Sequence, residues 1–326
     1  MRRFVTALLF AIALPAQAQA QPRTDWLQER PVRIILPFPP GGATDLIARV
    51  LAERIGRDSR QPWLVENRSG ANGNIGMLAA AQSAPDGYTL GGCTVGNCAI
   101  NAAIYARMPF DIASDLVPVF WSGSVMNALV VRDNHPARDF RGFVEWARGQ
   151  GNRANFSSSG FGASNHLLGE FLNGRLGLTM QHVPFRGGAP GMQAVLSGDT
   201  QMFFENVPTL IGAIRGGQLR ALAVSGRERD PTLPEVPTLG EAGMADAVVE
   251  PWFGYMAPRG TPAHIVLALN MILNRANADP EVQARLRALG ARPEGGPPER
   301  FAAHVRAELA RWAEVVRVNN IERITE

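Results

Sequence analysis

Four stretches of the chain place glycines, hydroxyls or side-chain amides where a strand hands over to a helix. In "PFPPGGATDLIARVLAERI", residues 37–55, three prolines stiffen the chain, Gly41 and Gly42 permit close backbone approach, and Thr44 stands where a helix cap belongs, with Asp45 in the first turn. The same grammar recurs in "ENRSGANGNIGMLAAA" from Glu66, "NFSSSGFGASNHLLGEFL" from Asn155 and "FFENVPTLIGAI" from Phe203. Each offers unpaired N–H groups and the positive end of a helix dipole, which suits a carboxylate. A stiff turn with no ligand would use the same residues; the recurrence in four places is what favours anion binding.

Other chemistries lack their residues. The chain contains no lysine, which excludes a Schiff base and a Walker lysine. No G-x-G-x-x-G follows the first strand, and "SSSGFG" is not a G-x-S-x-G nucleophile elbow. His135, His166, His182, His264 and His304 are scattered without metal-ligand spacing, so neither a metal nor a cofactor is expected. Asp45 and Glu205 would form a carboxylate pair only if they met across a cleft, and Asp45 reads instead as a first-turn helix residue. Phe38, Trp252 and Phe253 are candidates for an apolar pocket wall, against hinge or core packing as the alternative. Arg186 is a candidate for a second carboxylate contact, against a structural ion pair. Cys93 and Cys98 are spaced to close a small disulfide, and two buried thiols fit the sequence equally well.

These residues need elements to hold them. Apolar strand-like runs at 32–36, 63–65, 88–93, 117–121 and 128–132 alternate with helical patterns at 45–55, 74–84 and 99–105, which argues for a parallel sheet covered by helices. A second alternating set runs from 139 to 224. A proline-rich loop follows, and the remainder is helical from Pro262, Pro280 and Pro298. The chain thus builds one lobe from 24–125 and 226–326 and a second from 126–225, joined by two crossing strands around a cleft that closes by a hinge. Residues 1–20 read as an export signal: Arg2 and Arg3, an apolar run, then Ala18-Gln19-Ala20. Without those two arginines the formal charge falls from +3 to +1, so the basic balance does not imply a nucleic-acid partner.

Several stretches together, among them "PVRIILPFPPGGATDLIARVLAERI", "VENRSGANGNIG", "APDGYTL", "VPFRGGAPGMQAVLSGD" and "EPWFGYMAPRGTP", resemble the substrate-binding proteins of tripartite tricarboxylate transporters, the Bug family. The resemblance spans the chain after residue 20. It implies an α/β type II periplasmic-binding-protein fold, with two lobes and a two-strand hinge closing on a small organic acid. It places ligand contacts at Gly42, Ala43 and Thr44, at Ser158, Ser159, Ala163 and Ser164, and at Asn206. Ala163 stands where relatives commonly carry Thr, Glu205 where they carry Asp, and Cys98–Ala102 where they often carry "HAINP". The expected protein is therefore a periplasmic, monomeric, non-catalytic receptor that delivers its ligand to membrane permease subunits. The alternatives are a hydrolase on the same scaffold, using His166 or the serine run, and a ligand-binding partner of a membrane sensor kinase.

Overall fold

A computed structural model describes residues 25–318 and 323–324, so the export-signal reading lies outside the described residues. Among the described residues no helix is long and apolar enough to cross a membrane. The chain begins with β1 (Val32–Leu36), α1 (Ala43–Asp58), β2 (Trp63–Asn67), α2 (Asn74–Ala81), β3 (Thr89–Thr94), α3 (Asn101–Ile104), α4 (Ile112–Asp115) and β4 (Leu116–Ser124). It crosses into β5 (Asn127–Arg132), α5 (Phe140–Gln150), β6 (Asn155–Ser158), α6 (Ser164–Leu176), β7 (Gln181–Pro184), α7 (Gly188–Ser197), β8 (Met202–Asn206), α8 (Val207–Arg215) and β9 (Leu219–Val224). It returns through β10 (Trp252–Pro258), α9 (Ala263–Asn277), α10 (Pro280–Ala288), β11 (Arg292–Pro293) and α11 (Pro298–Val318).

Two sheets result, ordered β11-β4-β10-β3-β1-β2 and β7-β6-β8-β5-β9. The sequence pattern predicts parallel sheets, and that expectation needs correction: both sheets are mixed. β1 lies parallel to β2 and β3, but β10 runs antiparallel to β3 and β4. The cause is the crossover. The chain leaves the first lobe at the end of β4 and re-enters at the start of β10, so Ser124 sits opposite Trp252 and Leu116 opposite Pro258. β5 meets β9 in the same antiparallel sense.

Strand and helix periodicities build the cores. In β1, Val32, Ile34 and Leu36 pack into one cluster and Ile35 into another, as expected for a strand buried on both faces. On α1, Ala43, Ile47, Leu51 and Ile55 recur every four residues and present one apolar stripe to the first of those clusters. The proline-rich segment after β9 sends Leu239, Met244 and Ala247 into a core with Leu129 and Phe204, so it packs against the second sheet although the reading above assigned it to the first lobe. Cys93 and Cys98 are disulfide-bonded, with Cα atoms 5.7 Å apart, which resolves the alternative left open above.

Candidate functional site

A cavity opens between the two sheets, where the C-terminal ends of β1, β3, β6 and β8 meet. Its walls include Phe38, Gly42, Ala43, Thr44, Ser159, Ala163, Ser164 and Asn206, brought together from both lobes. This is the crevice position for ligands in open α/β sheets.

The first wall is the start of α1. Gly42, not Thr44, is the N-cap residue, with φ −79° and ψ 168° and no side-chain cap. Thr44 is already helical because the two glycines make the turn two residues early. The Gly41 N–H is taken by Asp45 Oδ2 at 3.0 Å. Ala43 and Thr44 sit in the first turn, where no intrahelical carbonyl can reach their amides, and no acceptor engages them among the described residues. Asp45 organises this loop from behind. It accepts from Arg49 Nε at 2.9 Å and from Asn67 Nδ2 at 3.0 Å, and Asn67 also donates to the Phe38 carbonyl. Burial pulls the Asp45 pKa up, but Arg49, the Gly41 amide and Asn67 together hold it below the ordinary carboxylate range.

The opposite wall is the turn from β6 into α6. Ser159 accepts from Asn165 Nδ2 at 2.7 Å, and Ser164 accepts from Asn127 Nδ2 at 3.4 Å. A hydroxyl that accepts there keeps its own proton to donate, so both can donate to a ligand. Ala163, the N-cap residue of α6, contributes wall but no hydroxyl. Thr94, Val95 and Gly96 form the floor, inside the loop closed by the Cys93–Cys98 bond.

Two of the sequence-derived candidates lie elsewhere. Trp252 is 1% exposed and donates Nε1 to Glu308 Oε2 at 3.0 Å in the core, while its neighbours Pro251 and Phe253 line the cavity. Successive strand residues face opposite sides, so an offset of one residue moves a side chain from pocket to core. Ser158 is fully buried, with Oγ 2.6 Å from His182 Nε2, and does not line the cavity. Asp45 and Glu205 do not pair: Asp45 stays behind its loop, while Glu205 lines the cavity. Arg186 is exposed and lines an adjoining pocket that shares Phe38, Asn72 and Ser159 with the cavity.

Sequence reasoning missed the cavity positions of Asn72, Gly188 and Thr94–Gly96. Asn72 stood inside a quoted glycine-rich turn, and the Thr94–Gly96 segment stood between the cysteines, so local signals existed for both. It also missed that His166 and His182 stack at 4.1 Å and, with Glu170, bring their ligand-type atoms within 4.8 Å of one another. Burial lowers their pKa values to about 4 and about 3, and they brace the α6 loop. His166 Nδ1 accepts the Gly162 N–H at 3.2 Å, and His182 holds Ser158.

The model of the tripartite tricarboxylate transporter family receptor matches residues 47–321. The chain belongs to that family. Protein BugT of Bordetella pertussis is 36% identical to it over 307 residues, covering 94% of this chain and 92% of its own length. Among solved structures, R. palustris Rpa4515 with adipate aligns at a TM-score of 0.87 and 33% identity, covering 91% of this chain and 99% of its own. MatC from Rhodopseudomonas palustris with bound malate aligns at 0.83 and 33% identity, covering 88% and 99%. The type II two-lobe α/β fold of this chain is thus that of the periplasmic receptors in its family.

Proposed function

We propose that this receptor captures a small organic carboxylate in the periplasm, closes its lobes on it and delivers it to the permease subunits of a tripartite transporter. The observation that carries this reading is the pair of unengaged amides of Ala43 and Thr44, opposite the donating hydroxyls of Ser159 and Ser164. Such donors replace the water around an acid's oxygens without any guanidinium, and among the described residues none lines the cavity. The relatives solved with adipate and with malate support an organic acid as ligand. The ten sequence-derived site residues reduce to eight that line the cavity; Ser158 and Trp252 act as supports behind it. In this reading the lobes hinge where the chain crosses between them, between β4 and β5 and ahead of β10. This reading takes the protein as a monomer without catalysis; Ser158 Oγ lies 2.6 Å from His182 Nε2, and neither residue lines the cavity.

The test is Ala43→Pro. Proline suits the first helical position, and Gly42 before it is extended, as a pre-proline residue should be. The change removes one cavity-facing amide. A lost charge-assisted hydrogen bond of about 1.5–3 kcal/mol corresponds to roughly 10- to 100-fold weaker carboxylate binding by calorimetry. Unchanged affinity in a variant with wild-type melting behaviour would rule out this site.

A further inference from the structure

Away from the cavity, three side chains meet at the seam between α6 and β7. His166 and Glu170 stand about one helical turn apart on α6, so both project from the same face. His182 lies on β7, the edge strand of the second sheet. The ligand-type atoms of the three lie within 4.8 Å of one another, and none of the three residues lines the cavity. Spacing along the chain hides the group, because its third member comes from a neighbouring strand. Packing presets two of the three: the imidazoles stack at 4.1 Å, with Phe161 edge-on to both.

His166 Nε2 faces Glu170 Oε1 at 3.9 Å, too far for a hydrogen bond. Burial keeps both imidazoles neutral, so an ion pair with Glu170 does not explain the convergence, and their lone pairs are not lost to protons. Two ligands about 2.1 Å from a tetrahedral ion stand about 3.4 Å apart, so the trio must draw in by at most about 1.4 Å. The Glu170 side chain is 47% exposed and can swing inward. His182 Nε2 lies 2.6 Å from Ser158 Oγ, whose own proton can go to the Gly160 carbonyl at 3.2 Å. His182 can therefore donate there and keep its Nδ1 lone pair; such an outer hydrogen bond orients metal-bound histidines. His166 coordinates through Nε2 by moving its ring proton to Nδ1, which gives up the 3.2 Å contact with the Gly162 N–H. One long hydrogen bond is exchanged for a metal–imidazole bond.

We infer that His166, Glu170 and His182 form a divalent transition-metal site that clamps α6 to β7. Two imidazoles and one carboxylate select zinc-like ions over magnesium and calcium, which take oxygen-rich shells. Three protein ligands leave a tetrahedral ion one open position, which water fills. The inference stands apart from the carboxylate cavity, and its test involves no organic acid.

Calorimetry with zinc chloride, on tag-free protein in chelator-free buffer, tests this. One ion binds per chain, millimolar magnesium does not displace it, and zinc raises the melting temperature. Loss of an outer-shell partner costs a metal site about 10–100-fold in affinity, so loss of a ligand should cost at least about tenfold. Glu170→Gln and His166→Ala each show that loss, while His264→Ala, at an exposed histidine outside the trio, keeps wild-type affinity. Cobalt(II) gives a second reading: its visible bands intensify on binding to the wild type and not in His166→Ala. If the histidine variant does not fold, Glu170→Gln decides alone, because Glu170 is half-exposed on the outside of α6. The inference is overturned by absent zinc binding, by displacement with magnesium, or by a loss of less than about tenfold in Glu170→Gln.

Discussion

Replacing Asp45 with asparagine tests whether the first binding loop is held from behind. Asp45 is 3% exposed, and its two oxygens serve the Gly41 amide, the Asn67 amide and the Nε–Nη2 edge of Arg49. Asparagine keeps the shape but replaces one oxygen with an NH2 group. Whichever way the amide turns, that NH2 faces either the Gly41 N–H or Asn67 Nδ2, donor against donor. A buried donor left unpaired costs about 1–3 kcal/mol. The lost charge on the remaining hydrogen bonds adds to this, for a total of about 2–4 kcal/mol. The Arg49 ion pair contributes little, because its side chain is 51% exposed. Arg49→Ala should therefore cost less than about 1 kcal/mol, whereas Asp45→Asn lowers Tm by about 4–10 °C. Carboxylate affinity falls with it, because Gly41 and Gly42 lose their anchor. Since the Asp45 pKa is depressed in the fold, its contribution is present above the unfolded value of 3.8 and is lost as pH falls through the folded value. The gap between wild type and Asp45→Asn thus narrows in acid. Differential scanning calorimetry across pH reads both effects. An unchanged Tm in Asp45→Asn, or an equal loss in Arg49→Ala, would refute the reasoning.

Glu205 should act in the opposite sense. Burial raises its folded pKa from the ordinary 4.5 to about 7, so the folded state holds a proton that the unfolded state releases. The stability of ligand-free protein relative to Glu205→Gln then declines as pH rises from 4.5 to about 7 and is flat beyond, by about 3 kcal/mol at most. Urea titrations at pH 5 and pH 8 that gave the same difference would count against it. Trp252→Phe keeps an aromatic ring but removes the donor to Glu308, so it should cost about 1–2 kcal/mol of stability and leave ligand affinity unchanged. A clear change in affinity would return Trp252 to the binding site.

Much of the binding loop's character was local and so legible in the sequence. Prolines 37, 39 and 40 followed by Gly41 and Gly42 dictate a stiff turn into a helix wherever they occur, and the apolar i, i+4 repeat of α1 dictates which face it buries. The β/α alternation determined the fold class for the same reason: strand and helix periods are properties of short segments. Strand direction was not local. It followed from where the chain leaves and re-enters a lobe, which places β10 antiparallel between β3 and β4.

Side-chain partnerships were also decided in three dimensions. Trp252 faces the core and Phe253 the cavity because β10 has one register against its neighbours, and that register is set by pairing across more than a hundred residues. Ser158 and Ser159 are adjacent in the chain, yet one is locked to His182 and the other faces the ligand space. Glu205 was visible in the sequence as a carboxylate beside a helix start, but its burial, its four donors and its missing countercharge exist only once β8, α6 and α8 have packed. The sequence determined that a helix follows each glycine-bearing turn and leaves its first amides unpaired, because that depends on backbone geometry over a few residues, although the cap of α1 falls two residues before the expected Thr44. Tertiary structure decided which side chains share a low-dielectric space, because desolvation and charge pairing depend on everything that surrounds a group.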